Sequence, residues 1–107
     1  MIIMEELKKD LIKFQKERDW KKFHTPENLA KSISIEAAEL LEHFQWGKNY
    51  DIVEVSEELA DVLIYSIYLA DSLNVDVKEI ILNKMDKNAT KYPVDKSKGN
   101  AKKYTEF

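Results

Sequence analysis

Four carboxylates in this chain are spaced for joint work. Glu36 and Glu39 form one i, i+3 pair, and Glu58 and Asp61 form a second. On a helix, residues three apart share a face, so each pair presents its carboxylates in one direction. The second pair opens Ser56-Glu57-Glu58-Leu59-Ala60-Asp61-Val62-Leu63-Ile64-Tyr65-Ser66-Ile67-Tyr68-Leu69-Ala70-Asp71, the most apolar stretch of the chain. Between Val62 and Ala70 only Ser66 is plainly polar, so a helix here is expected to be buried on most sides. Carboxylates carried into such a setting are costly unless paired or bound to a cation, and no basic residue stands beside them in sequence. All four donors are oxygens, the ligand type that Mg²⁺ prefers. With a polyphosphate completing the shell, such a centre can activate water and neutralise charge on phosphorus. The competing explanation is that these are surface acids on amphipathic helices, where i, i+3 spacing is common.

Other chemistries are poorly supplied. A di-iron bundle needs Glu-x-x-His on two helices. The only histidines are His24 and His43, and His43 follows Glu39 by four residues rather than three. There is no Ser-His-Asp arrangement, no glycine-rich phosphate loop and, with no cysteine in the chain, no thiolate nucleophile or thiolate metal site.

The elements that must carry the acids read as helices, since two Gly and two Pro leave little punctuation in 107 residues. A first helix is expected over 3–18, with Leu7, Leu11 and Phe14 (Ile3 before them) as its apolar stripe and Lys8, Lys9, Lys13, Lys16 and Arg18 in solvent. Trp20 and Phe23 follow in a short loop, either as lids on the core or as stacking surfaces for a planar ligand. Thr25-Pro26-Glu27 has the pattern of a helix start, and the second helix is expected to run to Phe44 or Gln45. Leu29, Ile33, Ala37, Leu40 and Phe44 form its stripe, and Gly47 lies where a left-handed residue is often needed. Asp51 can cap a third helix over 52–73. Asp76 can cap a fourth over 77–91, with Val77, Ile80, Ile81 and Met85 inward and Lys84, Asn88 and Lys91 along one side. Pro93 ends it, and residues 94–107 form a basic tail, free or lying over a site. The short link at 47–51 makes the second and third helices antiparallel neighbours. Glu39 and Glu58 then both lie about 10–12 Å from the turn, so the acid pairs can face each other.

Length points to a single domain, 1–107. The net charge of −3 does not suggest a general nucleic-acid binder, although the stretch 84–103 carries seven lysines against Asp86 and Asp95. The first residues lack the pattern of a signal peptide, and the apolar runs are too short to span a bilayer. A cytoplasmic protein without a membrane partner is the expectation.

Glu36-Ala37-Ala38-Glu39 followed by Glu58-Leu59-Ala60-Asp61 resembles the ExxE…ExxD signature of the all-α nucleoside triphosphate pyrophosphohydrolases, the MazG-like group. Further blocks are similar to the dCTP pyrophosphatase branch: Arg18-Asp19-Trp20…Phe23-His24, Phe44-Gln45-Trp46, Lys84-Met85-Asp86…Asn88…Lys91-Tyr92-Pro93 and Lys103-Tyr104-Thr105-Glu106. The resemblance runs in order over residues 14–107. It implies a bundle of four main helices that oligomerises through the apolar third helix, as a homodimer or homotetramer. It implies hydrolysis of a (deoxy)nucleoside triphosphate to monophosphate and pyrophosphate with Mg²⁺. Glu36, Glu39, Glu58 and Asp61 would be metal ligands and catalytic carboxylates. Trp20 and Trp46 would enclose the base, and Tyr65, Lys84, Asn88 and Tyr92 would surround sugar and phosphates. Where many members have adjacent acids, this chain has Ile35 before Glu36, and its 47–53 connection is shorter than in the animal enzymes. Two other readings stand beside the enzyme: a non-catalytic helical interaction module, and a regulator that binds Mg²⁺–dNTP without turnover.

Overall fold

The computed structural model describes Met4–Phe107. Met1–Ile3 lie outside the described residues, and with them the Ile3 expected at the head of the first apolar stripe. The regular structure is all helical among the described residues, as expected. The elements are α1 (Met4–Glu17), α2 (Pro26–Glu42), α3 (Ile52–Ser72), α4 (Val77–Lys91) and a short α5 (Val94–Ser97), with a 3₁₀ turn at Tyr104–Glu106. None of these helices is long and apolar enough to cross a membrane. The chain forms two compact units, one up to Val75 and one from Asp76 to Phe107.

The helix starts follow from local chemistry. Thr25 caps α2 by accepting from the Asn28 N–H, with Pro26 in the first turn. Asp51 caps α3 by accepting from the Val53 and Glu54 N–H groups, and Asp76 caps α4 through the Glu79 N–H. Each carboxylate or hydroxyl satisfies donors that a helix N-terminus leaves unpaired. The ends use left-handed residues. Asp19 (φ +55°) lets the Trp20 N–H reach the Gln15 carbonyl at 3.1 Å, and Asn74 (φ +56°) lets the Val75 N–H reach the Ala70 carbonyl at 3.0 Å. Both are the closing bonds of an αL helix stop, at residue types that tolerate that conformation. α2 ends at Glu42, short of the expected Phe44. From His43 on, the backbone tightens into three-residue bonds, His43 to Leu40 and Phe44 to Leu41, before Gly47 turns at φ +115°.

Within the first unit α3 packs mainly on α2 and, less extensively, on α1. Leu29, Val55, Ile67, Tyr68 and Ala70 form the buried apolar core. The Tyr68 hydroxyl donates to the Leu11 carbonyl at 2.9 Å, which ties α3 to α1, and Lys8 meets Asp71 at 3.6 Å across the same pair. α3 is less enclosed than its composition predicts. Ile52, Leu59 and Leu63 share one face of it and remain exposed, because α1 and α2 cover only the other side.

The second unit also departs from expectation. Ile80, Ile81 and Met85, expected inward on α4, are exposed, and Val77 is only half-buried. The unit offers α4 no second long helix to pack against. Its tail is structured: Tyr92 meets Tyr104 and Phe107 edge-on, each at 5.9 Å, and Lys91 Nζ stands 5.0 Å from the Tyr104 ring centre.

Leu29 is the most deeply buried apolar side chain among the described residues, at 1% exposure. Leu29→Ala is expected to lower unfolding free energy by about 3 kcal/mol in a urea titration, through lost transfer energy and the cavity left behind.

Candidate metal centre and substrate site

α2 and α3 bring the two acid pairs together. One carboxylate oxygen from each of Glu36, Glu58 and Asp61 lies within 4.8 Å of the others. His43, the C-cap residue of α2 and seven residues after Glu36, meets Glu58 at the earlier end of the α3 pair, 3.7 Å from Nε2 to Oε1. This register is that of antiparallel helices joined by a short link, and it sets the pairs at matching depth. Glu39 stands beside Glu36 but outside the three-carboxylate cluster.

The cluster is electrostatically unbalanced. Glu36 Oε2 is buried and has no hydrogen-bond partner. Burial, then hydrogen bonding with and repulsion by Glu39, then the charges of Asp61 and Glu58, push the Glu36 carboxyl up to about 7. Among the described residues no lysine or arginine pairs with Glu36, Glu39, Glu58 or Asp61. An orphaned buried oxygen in an all-oxygen donor set fits a hard divalent cation, which would supply the missing positive charge. Glu36, Glu58 and Asp61 are the residues that can hold it.

Tyr65, one turn beyond Asp61 on α3, looks onto the same charge. Burial raises its pKa first, then Glu36, Asp61 and Glu39, so the hydroxyl keeps its proton and remains a donor. Its ring stands edge-on to His24 at 6.1 Å, and His24 lies 6.1 Å from Trp20 and 5.2 Å from Tyr68. The buried Gln15 sends its side-chain nitrogen to within 2.8 Å of His24 Nδ1. Burial lowers the His24 pKa, so the ring is neutral near pH 7, accepts from Gln15 at Nδ1 and carries its proton on Nε2. Trp20 is thereby continuous with the acid cluster through one aromatic chain, and Phe14 meets its other side at 5.8 Å. Trp46 follows the end of α2 and is 89% exposed. Lys84, Asn88 and Tyr92 belong to the 76–107 unit, on α4 and at its C-cap.

Sequence reasoning did not single out Gln15, and it treated His43 only as a failed iron ligand. The signal for His43 was available: it falls four residues after Glu39 and seven after Glu36, on the face that carries both.

The Glu36 shift has a pH consequence. In the unfolded chain Glu36 titrates at its ordinary 4.5, in the fold at about 7. Its contribution to stability is therefore complete below the lower value and is lost as pH rises through the upper one. Without divalent cation, the wild-type melting midpoint is expected to fall more than that of Glu36→Gln between pH about 5 and about 8. Parallel pH dependences of the two proteins would contradict the crowding.

The MazG-like family model matches residues 31–107. The chain is 38% identical over 114 aligned residues to dCTP pyrophosphatase 1 of Mus musculus, covering 97% of this chain and 67% of the relative. The Homo sapiens dCTP pyrophosphatase 1 is 36% identical over the same shares. The crystal structure of a pyrophosphatase from Archaeoglobus fulgidus superposes with a TM-score of 0.78 at 49% identity, covering 84% of this chain and 92% of that one. With the family model spanning most of its length, the chain belongs to the MazG-like family.

Proposed function

We propose that this protein is a Mg²⁺-dependent nucleotide pyrophosphohydrolase that splits a deoxynucleoside triphosphate, dCTP or a related or modified dNTP, into monophosphate and pyrophosphate. The observation that carries the reading is the convergence of Glu36, Glu58 and Asp61 around a buried, unpartnered carboxylate oxygen. The names of the mouse and human relatives and of the archaeal structure support the enzyme class and the substrate. The family match crosses both compact units, which supports treating 1–107 as one functional domain.

When bound, the cation neutralises phosphate charge and makes a coordinated water easier to deprotonate. The protein's own groups do the rest. Glu36, Glu58 and Asp61 hold the charge in place, with Glu39 beside them as the fourth carboxylate. The water oxygen bonds to the α-phosphorus while the bond from that phosphorus to the bridging oxygen breaks. Pyrophosphate departs with that oxygen, and the water's proton passes to a carboxylate of the cluster. The Tyr65 hydroxyl donates to the substrate. Trp20 and Trp46 offer aromatic faces to the base, and Lys84, Asn88 and Tyr92 meet the sugar and phosphates. The protein works as a homodimer or homotetramer in the cytoplasm, on the free nucleotide pool.

The test is to incubate the protein with each NTP and dNTP, with Mg²⁺ and with EDTA, and to resolve the products. Monophosphate plus pyrophosphate, strongest with dCTP and abolished by EDTA, is expected. Diphosphate plus phosphate would contradict attack at the α-phosphorus. Asp61→Asn is expected to abolish turnover while the protein stays folded, since it removes one of the repelling charges.

The exposed Ile52, Leu59 and Leu63 face supports the oligomer. Light scattering is expected to give a mass at two or four times the 12.6 kDa chain, and Leu63→Lys to shift it downward. A monomeric wild type would overturn this part of the reading.

A further inference from the structure

His43 meets the acid cluster from the end of α2. Its backbone is fixed at the C-cap of α2, where its N–H donates to the Leu40 carbonyl at 3.3 Å. Its ring crosses to α3, and Nε2 stands 3.7 Å from Glu58 Oε1 with both side chains about three-quarters buried, 21% and 26% exposed. The other ion pairs among the described residues, Lys8–Asp71 and Lys22–Asp19, lie away from the cluster. A carboxylate has two oxygens. One drawn toward an imidazole N–H leaves the second to face a cation, and the groups that orient a ligand in this way affect how tightly a metal is held.

We propose that His43 is a positioning residue for Glu58: Nε2, in ion-pair range at 3.7 Å rather than at hydrogen-bond length, draws one carboxylate oxygen toward itself and so presents the other toward Glu36 and Asp61. The inference rests on the metal reading above and adds a residue outside the ExxE…ExxD motif to it. His43 is placed neither among the cation's ligands nor among the residues assigned to the substrate.

The experiment is a direct titration of Mn²⁺ alone into the protein, followed by the electron paramagnetic resonance of free Mn²⁺, for wild type, His43→Leu and His43→Gln. Circular dichroism checks that each variant is folded. His43→Leu is expected to weaken Mn²⁺ binding by about tenfold, in the range seen when such orienting partners are removed. His43→Gln, whose amide can still donate, is expected to recover most of it. In turnover, His43→Leu should raise the Mg²⁺ concentration for half-maximal rate while KM for the dNTP at saturating Mg²⁺ is unchanged. If His43→Leu does not fold, His43→Met takes its place as a long side chain without a donor. Wild-type Mn²⁺ affinity in the donor-free variant, or equal weakening in His43→Gln, would overturn the proposal and leave the metal reading intact. A wild-type protein that binds no Mn²⁺ would overturn both.

Discussion

Glu36, Glu58 and Asp61 bring one carboxylate oxygen each to within 4.8 Å of the others, and these charges repel. Glu36 comes from α2, and Glu58 and Asp61 come from α3, the helix pair with the most extensive packing in the chain. The crowding shows in protonation. Glu36 keeps its proton to about 7, first because burial disfavours its charged form and then because Glu39, Asp61 and Glu58 crowd it. A divalent ion and a proton are alternative solutions to one electrostatic problem. Binding either one lowers the need for the other.

The aromatic side of the site depends on backbone geometry rather than on charge. Trp20 sits where it does because Asp19 adopts a left-handed conformation and closes α1 through the Gln15 carbonyl. The same Gln15 reaches His24 with its side chain, so one residue fixes both the start of the loop and the ring behind Trp20. Tyr68 anchors the far side through Leu11, and Tyr65 joins this cluster to the acids. The loop between α1 and α2 is thus held at both ends, by the αL stop before it and by the Thr25 cap after it. That is the condition for an exposed indole to present a constant face to a planar ligand.

Much of this was legible in the sequence, and the reason is locality. Thr25, Asp51 and Asp76 each announce a helix start because a cap is an interaction over two or three residues. The acid pairs could be placed face to face because the link between their helices is short enough to fix depth from residue count. What could not be read depends on who covers whom. The apolar composition of α3 says how much surface seeks burial, and Ile52, Leu59 and Leu63 show that α1 and α2 do not provide all of it. Ile80, Ile81 and Met85 on α4, with no second long helix in their own unit, make the same point. The contact between His43 and Glu58 joins two helices, and single-helix periodicity gives the face of each residue but not the partner opposite. The early end of α2 was hidden because Phe44 continues the apolar stripe while the backbone has already tightened beneath it.

The geometry also weighs against reading the acids as an ordinary solvated face. Exposed carboxylates on an amphipathic helix can rotate outward, and water then screens most of their repulsion. Glu36 has no such freedom, since Oε2 is buried without a partner. An unsatisfied buried acceptor costs on the order of 1–3 kcal/mol, and like charges beside it add to that. A helical module that served only to bind another protein would be more stable with glutamine at 36 and asparagine at 61. The cost is intelligible if the same oxygen is satisfied in the working state by a cation, so that the destabilisation of the metal-free fold is the measure of how strongly the site is set up to bind one.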